Sequence, residues 1–276
     1  MPIDHAAQGP CEPVAGGAAS DVMLSVRGLL FGPARKPLAN AVSFEVHRGH
    51  CLVLLGPNGA GKTSLLRTLN GSLTRLAGAI EWAGRALDAC SPVQLARVRA
   101  FAASRPADGL DFALEHYVML GRLGVLGAFA PPAAADRQAV DAVILQLGLD
   151  PLRGRVLGSL SDGERQLASI ARALVQQSAV LLLDEPAASL DPGRQVALID
   201  AIAQLAAQGL SIILSTHDPN HALRLADEVL LWLPGGELRW GGARELLEPA
   251  LLEQAYGVRV RALHAEDGQT RTLVFG

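Results

Sequence analysis

The sequence has few aromatic residues, 4% of 276, and little charge, 18%, and its charges nearly cancel to a formal −3. A balance that close gives no bulk attraction for nucleic acid or an anionic lipid surface, so polyanion binders are excluded on composition. Cysteine is scarce too. Cys11, Cys51 and Cys90 are odd in number and lack metal-ligand spacing, which argues against a disulfide framework and for a reducing compartment. No apolar run reaches the roughly 20 residues that cross a bilayer, and no basic segment followed by an apolar one opens the chain. Any service to a membrane would come from its side. What the chain does have is aliphatic bulk: half its residues are hydrophobic, enough for a substantial core in one domain with a subdomain.

Residues 1–20, rich in Ala, Gly and Pro without periodicity, read as a disordered leader. Short alternations follow (Leu24, Val26; Val42, Phe44, Val46), broken by Gly28, Gly32-Pro33 and Pro37, and predict antiparallel strands. Ala79 to Trp82 predicts another strand, and Ser91-Pro92 opens a helix to about Arg99. From about Phe101 to Pro151 helical patches dominate, Leu114 to Leu120 and Asp136 to Leu147, as an insertion within an α/β domain. Strand and helix then alternate: Val180 to Leu183, a helix from Pro192 to Gln208 capped by Asp191, and Leu210 to Ser215. The tail predicts a hairpin around Pro234-Gly235-Gly236 and a last helix near Glu245 to Tyr256.

The chemistry begins at Gly56-Pro57-Asn58-Gly59-Ala60-Gly61-Lys62-Thr63, a complete G-x-x-x-x-G-K-S/T loop between an apolar run and a helix-forming stretch that starts at Ser64. Its glycines let successive backbone N–H groups turn towards phosphate oxygens, and the helix end adds a positive dipole. Lys62 would reach the terminal phosphates of a nucleoside triphosphate, and Thr63 would offer a hydroxyl to Mg²⁺. About 120 residues on, the apolar strand Val180 to Leu183 ends in Asp184-Glu185. In a parallel sheet these carboxylates fall at the same edge as the loop, Asp184 suited to Mg²⁺ and Glu185 to polarising an attacking water. Leu160-Ser161-Asp162-Gly163-Glu164 opens another helix, with Ser161 and Glu164 in capping-box spacing, which by itself means a well-capped helix.

Taken in order, these elements resemble the ATPases of the ATP-binding cassette (ABC) family: P-loop, helical insertion, a signature like LSGGQ at 160–166, Asp184-Glu185, Ser189-Leu190-Asp191 as the D-loop, and His217 as the switch histidine. The resemblance spans about Val22 to Val260. It implies an α/β P-loop NTPase cassette with a mostly parallel core sheet, an antiparallel β subdomain and a helical subdomain. The implied boundaries are one ATPase domain over 21–260, its helical subdomain about 101–172, and a C-terminal extension over 261–276. It further implies ATP and Mg²⁺ as cofactors, and a head-to-tail dimer in which Ser161, Asp162 and Gly163 of one copy, with Asp191 nearby, close over the P-loop of the other. Glu185 and His217 become the catalytic pair, and Phe31 the aromatic that stacks on adenine.

Two positions depart from the family. Ser104 stands where a metal-touching glutamine is usual, and its shorter hydroxyl would need a bridging water, so turnover or coupling is expected to weaken. Asp162 replaces a glycine, and its carboxylate should turn away from the phosphates. Leu120-Gly121-Arg122, the stretch from Phe129 to Asp136, His217-Asp218-Pro219-Asn220 and Ala255-Tyr256-Gly257-Val258 resemble the importer branch for ferric siderophores, haem and cobalamin. That branch implies two integral-membrane permease subunits docking near 105–129, a substrate-binding protein acting indirectly, and a peripheral place on the cytoplasmic face of the inner membrane. Iron chelate or haem is the first expectation for cargo, then cobalamin or a molybdate-type substrate. A nucleotide-binding regulator with weak turnover is the competing class. Nucleic acid is not expected: no long coiled coil separates the P-loop from the signature, and there is no second cassette.

Overall fold

In the computed structural model, which describes residues 21–103, 111–126, 131–264 and 271–276, the chain opens with an antiparallel layer. Strand β1 (Val22–Leu30) lies between β2 (Val42–His47) and β4 (Ala77–Trp82), with the short β5 (Arg85–Ala86) at the edge. Alternation decides its orientation: Leu24, Val26, Phe44, Val46, Ile80 and Trp82 are all buried on one face. The Trp82 indole N–H donates to the Leu69 carbonyl at 3.0 Å, tying this layer to the end of helix α1 (Lys62–Leu69).

The central sheet has strand order β10-β9-β3-β8-β7-β6. Its heart is β3 (Cys51–Leu55), β7 (Val180–Asp184) and β8 (Ser211–Thr216), in which every residue is buried, as expected of strands covered on both faces. Alternate residues divide between two cores. Leu52, Leu54, Leu182 and Ile213 pack with α1 and the antiparallel layer. Val53, Leu55, Leu181, Leu183, Ile212 and Leu214 pack with α7 (Pro192–Ala207) and α8 (Pro219–Leu225). Truncating one such leucine to alanine costs about 2–5 kcal/mol. Strand β9 (Glu228–Trp232) is parallel to β3, and β10 (Leu238–Gly242) closes the edge antiparallel to it.

Strand β6 (Arg99–Ala102), parallel to β7 at the other edge, is one that its own residues do not announce. Its Arg-Ala-Phe-Ala pattern carries no β-branched residue, so pairing with β7, not intrinsic preference, makes it a strand. Helix α2 (Pro92–Val98) therefore stops one residue early, and the sheet continues through Ala102.

Helices α3 (Leu114–Met119), α4 (Leu123–Leu126) and α5 (Ala134–Gln146) make up most of the helical layer. Leu114, Tyr117, Val118, Val140 and Ile144 form its core with Ala168, Ala171 and Val175 from the region of α6 (Asp162–Leu174). Helix α6 also gives Ile170 and Ala173 to the core of the sheet, so its C-terminal half is held by two cores at once. Arg122 bridges to buried Asp136 at 2.8 Å and donates to the Val175 carbonyl, which joins two stretches noted in the sequence. The Ala133 N–H and the Arg122 guanidinium hold the Asp136 carboxyl below the usual range.

The single last helix expected near 245–256 is two, α9 (Ala243–Leu246) and α10 (Pro249–Tyr256), because Pro249 restarts the helix at its first position. The chain ends in an antiparallel ribbon, β11 (Val260–His264) with β12 (Arg271–Phe275). No helix of the described residues is long and apolar enough to cross a membrane.

Candidate active site

Sheet register assembles the site. Leu55 pairs with Thr216, and Asp184 pairs with Ser215, so the ends of β3, β8 and β7 lie side by side. The residues that follow each end, the loop from Gly56, then His217, then Glu185, share the carboxyl edge of a parallel sheet, where such folds bind their ligands.

The loop turns into α1 at Gly61, whose φ of +107° excludes most side chains and whose Cβ would come 3.2 Å from the Leu38 side chain. The first-turn N–H groups of α1 then lack intrahelical acceptors and can donate to an anion. Lys62 is buried within the loop, its Nζ donating to the carbonyls of Gly56 at 2.8 Å and Pro57 at 2.9 Å. Glu185 lies 3.2 Å from the same ammonium, and the other Glu185 oxygen is 2.9 Å from His217 Nδ1. Lys62, Glu185 and His217 thus form a row.

Beside that row the Thr63 hydroxyl donates to Asp184 Oδ1 at 2.9 Å. The buried Ser215 hydroxyl donates to the same oxygen at 2.8 Å and accepts the Glu185 backbone N–H at 2.9 Å. Glu185 holds a positive φ of 45°, uncommon for a residue with a side chain and costing of order 1–3 kcal/mol. The Ser215 bond helps keep it there. Burial holds neighbouring His221 below the ordinary imidazole range, so it is neutral at neutral pH; its Nδ1 lies 3.1 Å from the Thr216 hydroxyl.

These residues fit a magnesium nucleotide. A buried lysine ringed by carbonyls can exchange them for phosphate, and a hydroxyl beside a carboxylate offers the hard oxygen donors Mg²⁺ prefers while leaving it room for water. Pro57, Ala60, Thr63 and Ser64 are partly accessible, and Asn58 and Gly59 are exposed.

The other expected site residues among those described stand apart from this row. Phe31 is fully buried, its ring edge beside Gly61. Ser161, Asp162 and Asp191 make local contacts. The Ser161 and Glu164 side chains cap each other's backbone N–H groups, and the Ser161 N–H holds the Glu164 carboxyl below its usual range. Asp162 pairs with Arg165, and Asp191 caps α7 by accepting the Arg194 N–H at 3.0 Å. Gly163 is buried where a Cβ would come 2.9 Å from Leu190 and 3.2 Å from the Ser189 carbonyl, so the signature helix abuts the D-loop of its own chain. Ser104 and residues 1–20 lie outside the described residues. Ser215 escaped the sequence reading because a serine inside an apolar strand carries no motif. Tyr256 and Asn220 stood in stretches noted only as branch features.

Comparison with known proteins agrees with this geometry. The family model described as ABC transporter matches residues 39–188. The chain is 33% identical over 243 residues to an uncharacterized ABC transporter ATP-binding protein of Haemophilus influenzae, covering 88% of this chain and 92% of that one. It is 35% identical to the hemin import ATP-binding protein HmuV of Nocardia farcinica (89% and 86% covered), and 37% identical to the vitamin B12 import ATP-binding protein BtuD of Escherichia coli (82% and 89%). A solved structure described as an inward-facing ABC transporter of metal-chelate type superposes with a TM-score of 0.79 at 27% identity, over 93% of this chain and 97% of that chain. With the P-loop, the paired acids and the histidine meeting at one sheet edge, and with a family match across more than half its length, the chain belongs to the ABC transporter family as an ATP-binding subunit that hydrolyses ATP.

Proposed function

We propose that this subunit powers import of a metal chelate, an iron siderophore or haem first and cobalamin next. The names of the hemin, B12 and metal-chelate relatives support that range. Residues 56–64 wrap the phosphates of ATP, and Lys62 gives up its carbonyl partners for them. The Thr63 hydroxyl and the Asp184 carboxylate hold Mg²⁺. The magnesium nucleotide supplies a phosphoryl group whose charge the metal neutralises. Glu185, kept by Ser215 and the sheet edge, accepts the proton of the attacking water, and His217 orients Glu185 through the 2.9 Å contact. The row Lys62–Glu185–His217 beside Thr63–Asp184 is the observation that carries this reading.

Two copies face each other, each lending Ser161, Asp162, Gly163 and Asp191 to the other's nucleotide, and the pair sits on the cytoplasmic face of the inner membrane beneath two permease subunits served by a substrate-binding protein. The permease helices dock on the helical insertion near 105–129, of which 105–110 and 127–129 lie outside the described residues.

Glu185→Gln tests the chemistry. It should retain ATP, accumulate an ATP-bound dimer by light scattering, and lose turnover by about 100-fold or more; hydrolysis at the parent rate would overturn the assignment. Reconstitution with the permease and binding protein, comparing uptake of a ferric siderophore, haem and cobalamin, tests the cargo. Uptake of none of the three would reject it.

A further inference from the structure

His217 is held from two directions. Its ring meets Glu185, while its backbone carbonyl accepts the Tyr256 hydroxyl at 2.9 Å. Tyr256 ends α10, and its ring packs edge-on against Phe275 of β12, with centroids 5.5 Å apart. Burial, with the Asp218 and Glu185 carboxylates nearby, pushes the phenol well above its usual range, so it remains a donor throughout physiological pH. Three residues beyond His217, the Asn220 side chain treats Leu273 of β12 as a strand neighbour would. Its amide donates to the Leu273 carbonyl at 3.1 Å, and its oxygen accepts the Leu273 N–H at 2.9 Å. Leu273 is buried in the core with Ala222 and Leu225 of α8.

Tyr256 and Asn220 are 39 and 53 residues from the groups they bind. Both grips fall on the four residues that carry His217 into α8, and both come from the C-terminal segment. Within those four residues Asp218 caps α8 by accepting the Asn220 N–H at 2.8 Å, and the Thr216 hydroxyl accepts the Asp218 N–H at 3.1 Å. The turn is therefore fixed locally by Thr216 and Asp218 and gripped at both ends by the C-terminal segment. A ring placed by its own backbone turns wherever that turn goes, and Glu185 follows through the 2.9 Å contact.

We propose that Tyr256 and Asn220 are positioning residues through which the C-terminal ribbon sets the orientation of His217, and with it that of Glu185. This rests on the reading of His217 as part of the hydrolytic site. It gives the ribbon a function beyond covering the core: ribbon docking and competence for hydrolysis are linked, and anything that lifts β12 slows turnover without touching the nucleotide.

The test uses the full chain with two readouts, the imidazole NMR resonances of His217 and the steady-state kinetics of ATP hydrolysis. Tyr256→Phe removes one hydroxyl and keeps the ring against Phe275; Asn220→Leu removes both side-chain hydrogen bonds while keeping the branched shape. Each should displace the His217 resonances and lower kcat about 3–10-fold at unchanged KM for ATP, the range expected for losing one or two hydrogen bonds. Unchanged His217 resonances in both variants would overturn the proposal, as would a fall in kcat no larger than the fall in folded protein. His217→Ala gives the baseline: if it kept full turnover, the hydrolytic role of His217 would fail, while the resonances would still decide whether the ribbon holds it.

Discussion

The P-loop edge and the signature helix, the two surfaces expected to meet across an ATP, are built in opposite ways. At the edge, residues from two strand ends and one helix are linked to each other: Thr63 and Ser215 to Asp184, Ser215 to the Glu185 backbone, Glu185 to Lys62 and His217. Asp184, Ser215 and Lys62 are buried. At the signature, Ser161 and Glu164 satisfy one another, Asp162 pairs one turn along its own helix, and all three keep access to solvent. One surface is assembled by tertiary structure and cannot be formed locally. The other is a capped helix end that needs only its own first turn and the two cores behind it. The first is suited to chemistry, which demands fixed groups, and the second to being presented to another copy.

Breaking the assembled edge should have the largest effect. Ser215→Ala takes the donor from Asp184 Oδ1 and the acceptor from the Glu185 N–H by removing a single buried oxygen. It should cut kcat about 10–100-fold and weaken nucleotide binding with magnesium more than binding in EDTA, whereas Ser215→Thr should restore both; titration with and without the metal checks this. Next comes the junction between signature and D-loop. Gly163→Ala drives a methyl to 2.9 Å from Leu190 and should destabilise the fold by about 1–3 kcal/mol, read by urea denaturation. The smallest effect belongs to the capping box. Because the Ser161 N–H lowers the Glu164 carboxyl below its unfolded value, its contribution to stability is complete above the ordinary glutamate range and fades as pH falls through the lowered folded value. Glu164→Gln should therefore flatten the acid limb of the stability profile and leave the neutral region within about 1 kcal/mol of the parent.

The contrast also explains what could be read in advance. The glycine-rich loop, the acids after an apolar strand and the capped signature are local patterns, and each lies in the structure as its own few residues require. Strand β6 was not legible, since Arg99, Ala100, Phe101 and Ala102 become a strand only because β7 is there to pair with. An aromatic residue beside a glycine does not announce which way its ring points; that of Phe31 is buried with its edge beside Gly61. The segment after Val260 reads as a plain extension. Its meaning lies in Leu273, whose backbone meets Asn220, and in Phe275 beside Tyr256.

By itself the sequence determined the class of chemistry: a nucleotide loop, two acids after an apolar strand, a histidine after the next strand and a capped signature, in the order of one family. It could do so because phosphate binding and helix capping depend on residues within about one turn of each other. Only the tertiary structure decided which groups touch. That Asp184 shares an oxygen between Thr63 and Ser215, that Glu185 spans Lys62 and His217, and that His217 is held by the far end of the chain all follow from strand register and packing. These bring together residues up to about 120 positions apart, and no local pattern encodes such a distance.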